Sequence, residues 1–435
     1  MKRLARGKRV WIGAGLALCL LCAASRLWTN RMTLTIGIFS GSNWDVTDED
    51  CYQAYNTAIV QFERDHPGVR VEYVSGIPRE DYSEWLAEQI VMGCEPDVYL
   101  VPEEDLLTLA GLGALMQLDR MLDADPNTDA QAFYPAALAA GQVNEHTYAL
   151  PYQCVPTMMF VNCTLLETYG IAQPQDGWTW NDFYQICQAV TEAAARAGDD
   201  AVYGCVNYSW AHAAAANGVA VFDKQGRSCA FDDPRVQRAV TFYDEITQLS
   251  AHQPVPHNAF REGRAAFSPM LLSNYRAERS SFWKIRQDAG FKCSGIAMPA
   301  GPHGDNAAQM STLLMGVSAR THAPDLAWQL LNTMTADDDF QRMLCQDSAG
   351  LSGLRSVVQA YTAEQTQIET QPNARMTMQR VDGVMERAVV RPVFPGYDTV
   401  MQFADSEIAA MLDAEKDLGN GLLGLQRNML SMLED

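Results

Sequence analysis

Much that would mark an enzyme is missing from these 435 residues. Beyond residue 31 there is no C-x-x-C, and no G-x-S-x-G, H-E-x-x-H or Walker pattern occurs anywhere, so the exported part lacks the common nucleophile, zinc and nucleotide motifs. Lysine is scarce: beyond the N-terminal stretch it stands at Lys224, Lys284, Lys292 and Lys416 alone. The formal charge is -21, a field that repels phosphate backbones and excludes nucleic acid as a partner. With no cluster of bases, the balance also favours a neutral solute over a phosphorylated one. Beyond residue 31 no apolar run is long enough to span a bilayer, and no repeat or low-complexity linker interrupts the chain.

The eleven cysteines do not form a framework. Cys19 and Cys22 lie near the N-terminus, and the other nine (Cys51, Cys94, Cys154, Cys163, Cys187, Cys205, Cys229, Cys293, Cys345) are scattered singly. An odd number leaves at least one unpaired within the chain. Several sit in apolar runs such as Tyr203-Gly-Cys-Val206, where buried thiols acting as small hydrophobes are expected.

What is present begins with the leader. Lys2, Arg3, Arg6, Lys8 and Arg9 precede an apolar stretch from Val10 to Ser25, the pattern of a secretory segment with its positive end held in the cytoplasm. Residues 1–31 are therefore expected to be a leader, and the remainder an exported body. Three endings compete: cleavage after Cys22-Ala-Ala24, lipidation at Cys19 or Cys22, and an uncleaved anchor. A tether to the outer face of the membrane is the expectation, with no other membrane contact.

Leu34, Ile36 and Ile38 alternate as in a strand, and Thr47-Asp-Glu-Asp50 resembles a helix start. Tyr55, Ile59 and Phe62 then recur at helical spacing until His66-Pro-Gly68 stops them. A second strand follows at Val69, Val71 and Tyr73, then a helix from about Glu80 to Val91 and a buried strand at Val98–Val101. This β-α-β-α-β order predicts a parallel sheet covered by helices on both faces. Further on, strands are expected at 158–161, 265–267, 293–298 and 313–317, with helices from near Asn181 and over Arg235–Leu249. From Pro324 to Glu434 the pattern is mostly helical.

Three short matches carry nothing. Ser281-Phe-Trp-Lys284 lacks the companion motifs of penicillin-recognising enzymes. Gly419-Asn-Gly421-Leu-Leu-Gly424 has no strand before it. His252 and His257 are separated by Pro254 and Pro256, which does not suit zinc. No metal or cofactor is called for.

Eight segments, in order, resemble the extracellular solute-binding proteins of ABC importers, in the sugar-binding group that includes maltose-binding protein. They are Phe62–Val71, Glu95-Pro-Asp-Val98, Leu112–Asp119, Thr147-Tyr-Ala-Leu-Pro151, Val161-Asn162 with Tyr169-Gly170, Trp178–Asp182, Phe260–Ala266 and Ala323–Leu331. Each alone has a local structural explanation, such as the Pro67-Gly68 turn; their order behind a leader is what is specific. The resemblance implies an α/β, two-lobed periplasmic-binding-protein-like fold with a hinge and an interlobe ligand cleft. It divides the chain into a leader (1–31), one lobe of 32–152 plus 265–322, and another of 153–264 plus 323–435. It also implies a monomeric receptor with no catalytic residue, closing on a small-molecule ligand, an oligosaccharide in the first instance, and docking on permease subunits in the membrane.

A sugar offers C–H faces and many hydroxyls, so its site needs flat aromatic rings beside groups that both donate and accept. Asn43, Trp44 and Asp45 supply these types in the loop after the first strand. Glu103, with Glu104 beside it, follows the strand at 98–101. Tyr152 stands at the first crossing between lobes. Asn207, Tyr208 and Trp210 end a strand of the second lobe, Ser273 and Asn274 follow the second crossing, and Arg391, Phe394 and Tyr397 fall in a late segment resembling one that carries aromatics in the family. A non-sugar solute, a surface sensor on the same fold, and an exported glycosidase with paired carboxylates remain alternatives.

Overall fold

The computed structural model describes residues 32–44, 52–74, 76–199, 201–250, 254–276, 291–368, 377–414 and 417–434. The early chain follows its hydrophobic periods closely. Strands β1 (Met32–Gly37), β2 (Val69–Val74) and β3 (Val98–Val101) are parallel, with β1 between the other two. Helix Tyr52–Asp65 turns Tyr55, Ile59 and Phe62 inward, and helix Arg79–Met92 ends on Gly93 in the left-handed conformation. The helix start expected at Thr47–Asp50 lies outside the described residues.

Two short strands, β4 (Gln142–Val143) and β5 (His146–Thr147), make a hairpin. They lead into β6 (Ala149–Asn162), the longest strand, and nearly every side chain along it is buried. After β6 come β7 (Tyr203–Cys205), β8 (Ala265–Leu271), β9 (Cys293–Ile296), β10 (Gln309–Val317) and β11 (Val389–Val390). Residues 149–156 of β6 pair with β10, which is antiparallel to β3 on its other side, so the first half-sheet runs β2-β1-β3-β10-β6. Residues 157–162 pair instead with β8 and β9, and β7 adds on parallel to β8. One strand thus belongs to two half-sheets.

Helices divide accordingly. Those at Pro324–Thr335 and Asp338–Asp347 pack on helix Tyr52–Asp65, and the former also on β10. Those at Trp180–Ala197, Trp210–Ala216, Pro234–Gln248, Tyr397–Asp413 and Leu418–Glu434 contribute to a second cluster around Phe183, Phe242 and Phe267. The sequence boundaries assigned 265–322 to the first lobe and 323–435 to the second. In the structure β8 and β9 join the second half-sheet, and helices 324–347 sit with the first. Strand and helix periods identify elements but say nothing about which half-sheet an element joins. The chain passes between the halves within β6, again just before β10, and a third time between Met385 and Phe394.

No helix among the described residues is long and apolar enough to cross a membrane. No group of three or more His, Cys, Asp or Glu among them is placed to hold a metal ion.

Candidate functional site: a cavity at the strand ends

The carboxyl ends of β1 and β3 point to the same edge because the strands are parallel, and open α/β sheets bind ligands at that edge. Ser40 bridges to Pro78, so the loops after β1 and β2 lie side by side. The Ser40 N–H donates to Ile77 O (2.7 Å), and the Arg79 N–H to Ser40 O (3.1 Å). Across from them runs the third crossing. Between the two is a cavity of about 770 Å³, within the roughly 300–1,000 Å³ of small-molecule sites.

This cavity gathers Asn43, Trp44, Glu103, Glu104, Arg391, Phe394 and Tyr397 from separate parts of the sequence. Trp44 is buried, and its indole Nε1 has no hydrogen-bond partner among the described residues. A buried donor left unpaired is costly, on the order of 1–3 kcal/mol, so a ligand acceptor here would relieve it. Glu103 begins the helix Glu103–Gly111, directly after Pro102. Its carboxylate accepts the Thr312 N–H (2.7 Å) from β10. Burial pushes the Glu103 carboxyl up to about 8, against the Thr312 hydrogen bond and the positive charge of Arg391, which pull it down. The Arg391 guanidinium lies 5.5 Å from the centre of the Tyr397 ring, and burial raises the Tyr397 phenol.

Arg79 was missed by sequence reasoning, which noted only a helix from about Glu80. Its Nε donates to Asn43 Oδ1 (2.7 Å), it bonds to the Glu104 carboxylate, and it stacks on Phe39. One guanidinium therefore ties Asn43, in the loop after β1, to Glu104, in the first turn of helix Glu103–Gly111. Its position at the start of helix Arg79–Met92, a few residues after β2 and on the edge shared with Asn43 and Glu103, was the signal available. Ser311 and Leu271 also line the cavity; strand patterning gives no hint of either.

Other expected site residues fall elsewhere. Asn207, Tyr208 and Trp210 line a separate cavity of about 530 Å³ between helices Pro234–Gln248 and Tyr397–Asp413. There the Asn207 side chain meets His257, 2.8 Å from Oδ1 to Nδ1, and Trp210 Nε1 donates to Asp405 (2.7 Å). Tyr152 lies inside the first cluster, its hydroxyl bonded to that of Tyr55 and its ring close to Phe340. Ser273 is fully buried and Asn274 half-buried at the start of the helix that follows β8 directly. Phe394, which lines the strand-end cavity, also packs edge-on against Phe222 and Tyr397. Asp45 lies outside the described residues.

A mixed sheet shared by two bodies, with a polar and aromatic cavity at the strand ends between them, defines a two-lobed solute-binding fold. The comparisons agree. Residues 57–374 match the bacterial extracellular solute-binding protein family, and the chain belongs to that family. A probable ABC transporter-binding protein from Deinococcus radiodurans is 22% identical over 293 residues, 62% of this chain and 66% of the relative, just under two thirds of its length. The cyclic alpha-maltosyl-1,6-maltose binding protein of Arthrobacter globiformis superposes with a TM-score of 0.75 at 16% identity, over 92% of this chain and 99% of that one. The sugar-binding protein MalE from Xanthomonas citri gives 0.72 at 16% identity, over 93% and 98%. An ABC substrate-binding protein of Listeria monocytogenes, solved in complex with cycloalternan, gives 0.65 at 19% identity, over 93% and 99%. At these identities the likeness establishes the fold.

Proposed function

We propose that this chain is the carbohydrate receptor of an ABC importer. It captures an oligosaccharide outside the cell, closes its two lobes on it, and presents the closed form to permease subunits in the membrane. It acts by binding alone, without a catalytic step or cofactor, as a monomer held at the outer membrane face by residues 1–31. The observation that carries the reading is the cavity at the ends of β1 and β3, where Trp44 and Tyr397 stand beside Asn43, Arg79, Glu103 and Arg391. Rings can stack on sugar C–H faces, while carboxylate, amide and guanidinium groups bond hydroxyls in both senses. The oligosaccharide ligands named for the structural neighbours support the same class. The bodies that close are taken to be the two half-sheets with their helices, so the hinge comprises mid-β6, the residues leading into β10, and residues 386–394. Hinge closure of this type is an established switching mode.

The test is a thermal-unfolding screen of the exported chain against cyclic and linear oligosaccharides, amino acids, polyamines and phosphorylated glycerols. A ligand at about 100 times its dissociation constant should stabilise the folded state by about 2.7 kcal/mol. A shift with one glycan class and no hydrolysis of a chromogenic glycoside is the expected result. A shift confined to a non-sugar solute overturns the carbohydrate assignment, and glycoside turnover overturns the non-catalytic one.

A further inference from the structure

A second cavity, of about 530 Å³, lies beside the third crossing. Its walls are mostly apolar, formed by Trp210, Val219, Phe222, Val390, Pro392 and Met401. Asp305, Gln309 and Arg387 also line it; Asp305 and Arg387 are exposed and Gln309 half-buried, so they form a polar rim. None of these three side chains is engaged in a hydrogen bond or ion pair among the described residues. An apolar interior with a few converging polar groups is the usual composition of a small-molecule site.

The walls come from both bodies. Val390 pairs with Met310 of β10 in the first half-sheet, whereas Phe222 and Met401 belong to or pack on the second cluster. Tyr397 lines this cavity and the strand-end cavity alike, so the two spaces share one ring as a common wall.

We propose that this cavity is a second ligand site, for a compact amphipathic molecule with an apolar body of one or two fused rings and a polar edge facing Asp305, Gln309 and Arg387. Such a molecule would touch the crossing strand on one side and the second cluster on the other. Its binding is then thermodynamically coupled to hinge opening, and the coupling is reciprocal. The site goes beyond the carbohydrate reading and does not rest on it; only its coupling to hinge opening rests on the hinge of that reading.

The test titrates the full chain with 1-anilinonaphthalene-8-sulfonate and follows fluorescence, with no sugar present. Saturable enhancement at one site per chain is expected. Ala211→Trp places an indole in the cavity and should abolish it; Arg387→Ala removes the rim cation facing the sulfonate and should weaken it about tenfold, the equivalent of one modest interaction. No saturable signal in the parent chain, or equal binding by parent and both variants, overturns the proposal. Circular dichroism reports whether A211W is folded, and if it is not, R387A at an exposed side chain decides: unchanged probe affinity there overturns the site. A failed carbohydrate screen leaves this readout untouched.

Discussion

At the scale of single residues, the site depends on groups held away from their usual state. Glu103 has an ordinary carboxyl value of 4.5 and a folded value of about 8. A carboxyl raised by folding binds its proton more tightly in the native state, so its contribution is fully present below about 4.5 and is lost as pH climbs through about 8. Glu103→Gln should therefore flatten the fall in thermal midpoint across that window. A parent and variant with parallel pH profiles would refute the placement. Trp44→Phe keeps the buried ring but removes the unpaired indole donor. If that donor meets a ligand oxygen, calorimetry should show binding about tenfold weaker, the value of one hydrogen bond. An unchanged dissociation constant would take Trp44 Nε1 out of the binding set. Among the eight cysteines of the described residues, only Cys94 is exposed. Burial raises the thiols of Cys154, Cys187, Cys205 and Cys345, so of the described thiols Cys94 should react first with an aromatic disulfide reagent in the native protein.

Single elements show how local chemistry sets position. Thr179 caps helix Trp180–Ala197: its side chain accepts the Asp182 N–H, and Asp182 returns a bond to the Thr179 N–H (2.8 Å). Thr179→Ala should cost about 1 kcal/mol, measurable as a lower urea midpoint with an unchanged slope. Gly226 turns the loop after Phe222 at φ 67°, and a Cβ there would collide with the Phe394 ring. Gly226→Ala should destabilise by about 1–3 kcal/mol through overpacking, and would also disturb the segment carrying Arg391 and Tyr397. These local features were the legible part. Alternation announced β1 and β2, the helix spacing of Tyr55, Ile59 and Phe62 was plain, and the late helical region was visible from Pro324. The extent of β6 was not, because a strand buried on both faces shows no alternation, and Pro151 and Pro156 within it suggest breaks. The cavity was half legible. Asn43, Trp44 and Glu103 follow strands and could be placed by topology, whereas Tyr152, within β6, faces the core. Sequence gives a residue's place along a strand but not the pocket its side chain reaches.

At the scale of the whole molecule, closure is the property to measure. Small-angle scattering of the exported chain should show a contraction when the identified ligand is added, and none with a sugar that gives no thermal shift. A ligand that binds without contraction would separate recognition from hinge movement. Contacts already span the two bodies: Lys224 Nζ donates to Ala139 O (3.1 Å), and Arg227 bonds to Asn144 in the β4–β5 turn (3.2 Å). The strand order has a consequence for biogenesis as well. In the first half-sheet β10 lies between β3 and β6, yet it ends only at Val317. On the ribosome, β1, β2, β3 and β6 all emerge long before the strand that must be inserted among them. Until residue 317 is made, that sheet has a gap between β3 and β6, and pairings so distant in sequence form slowly. A chain of an extracellular family therefore cannot close this sheet until β10 has been made.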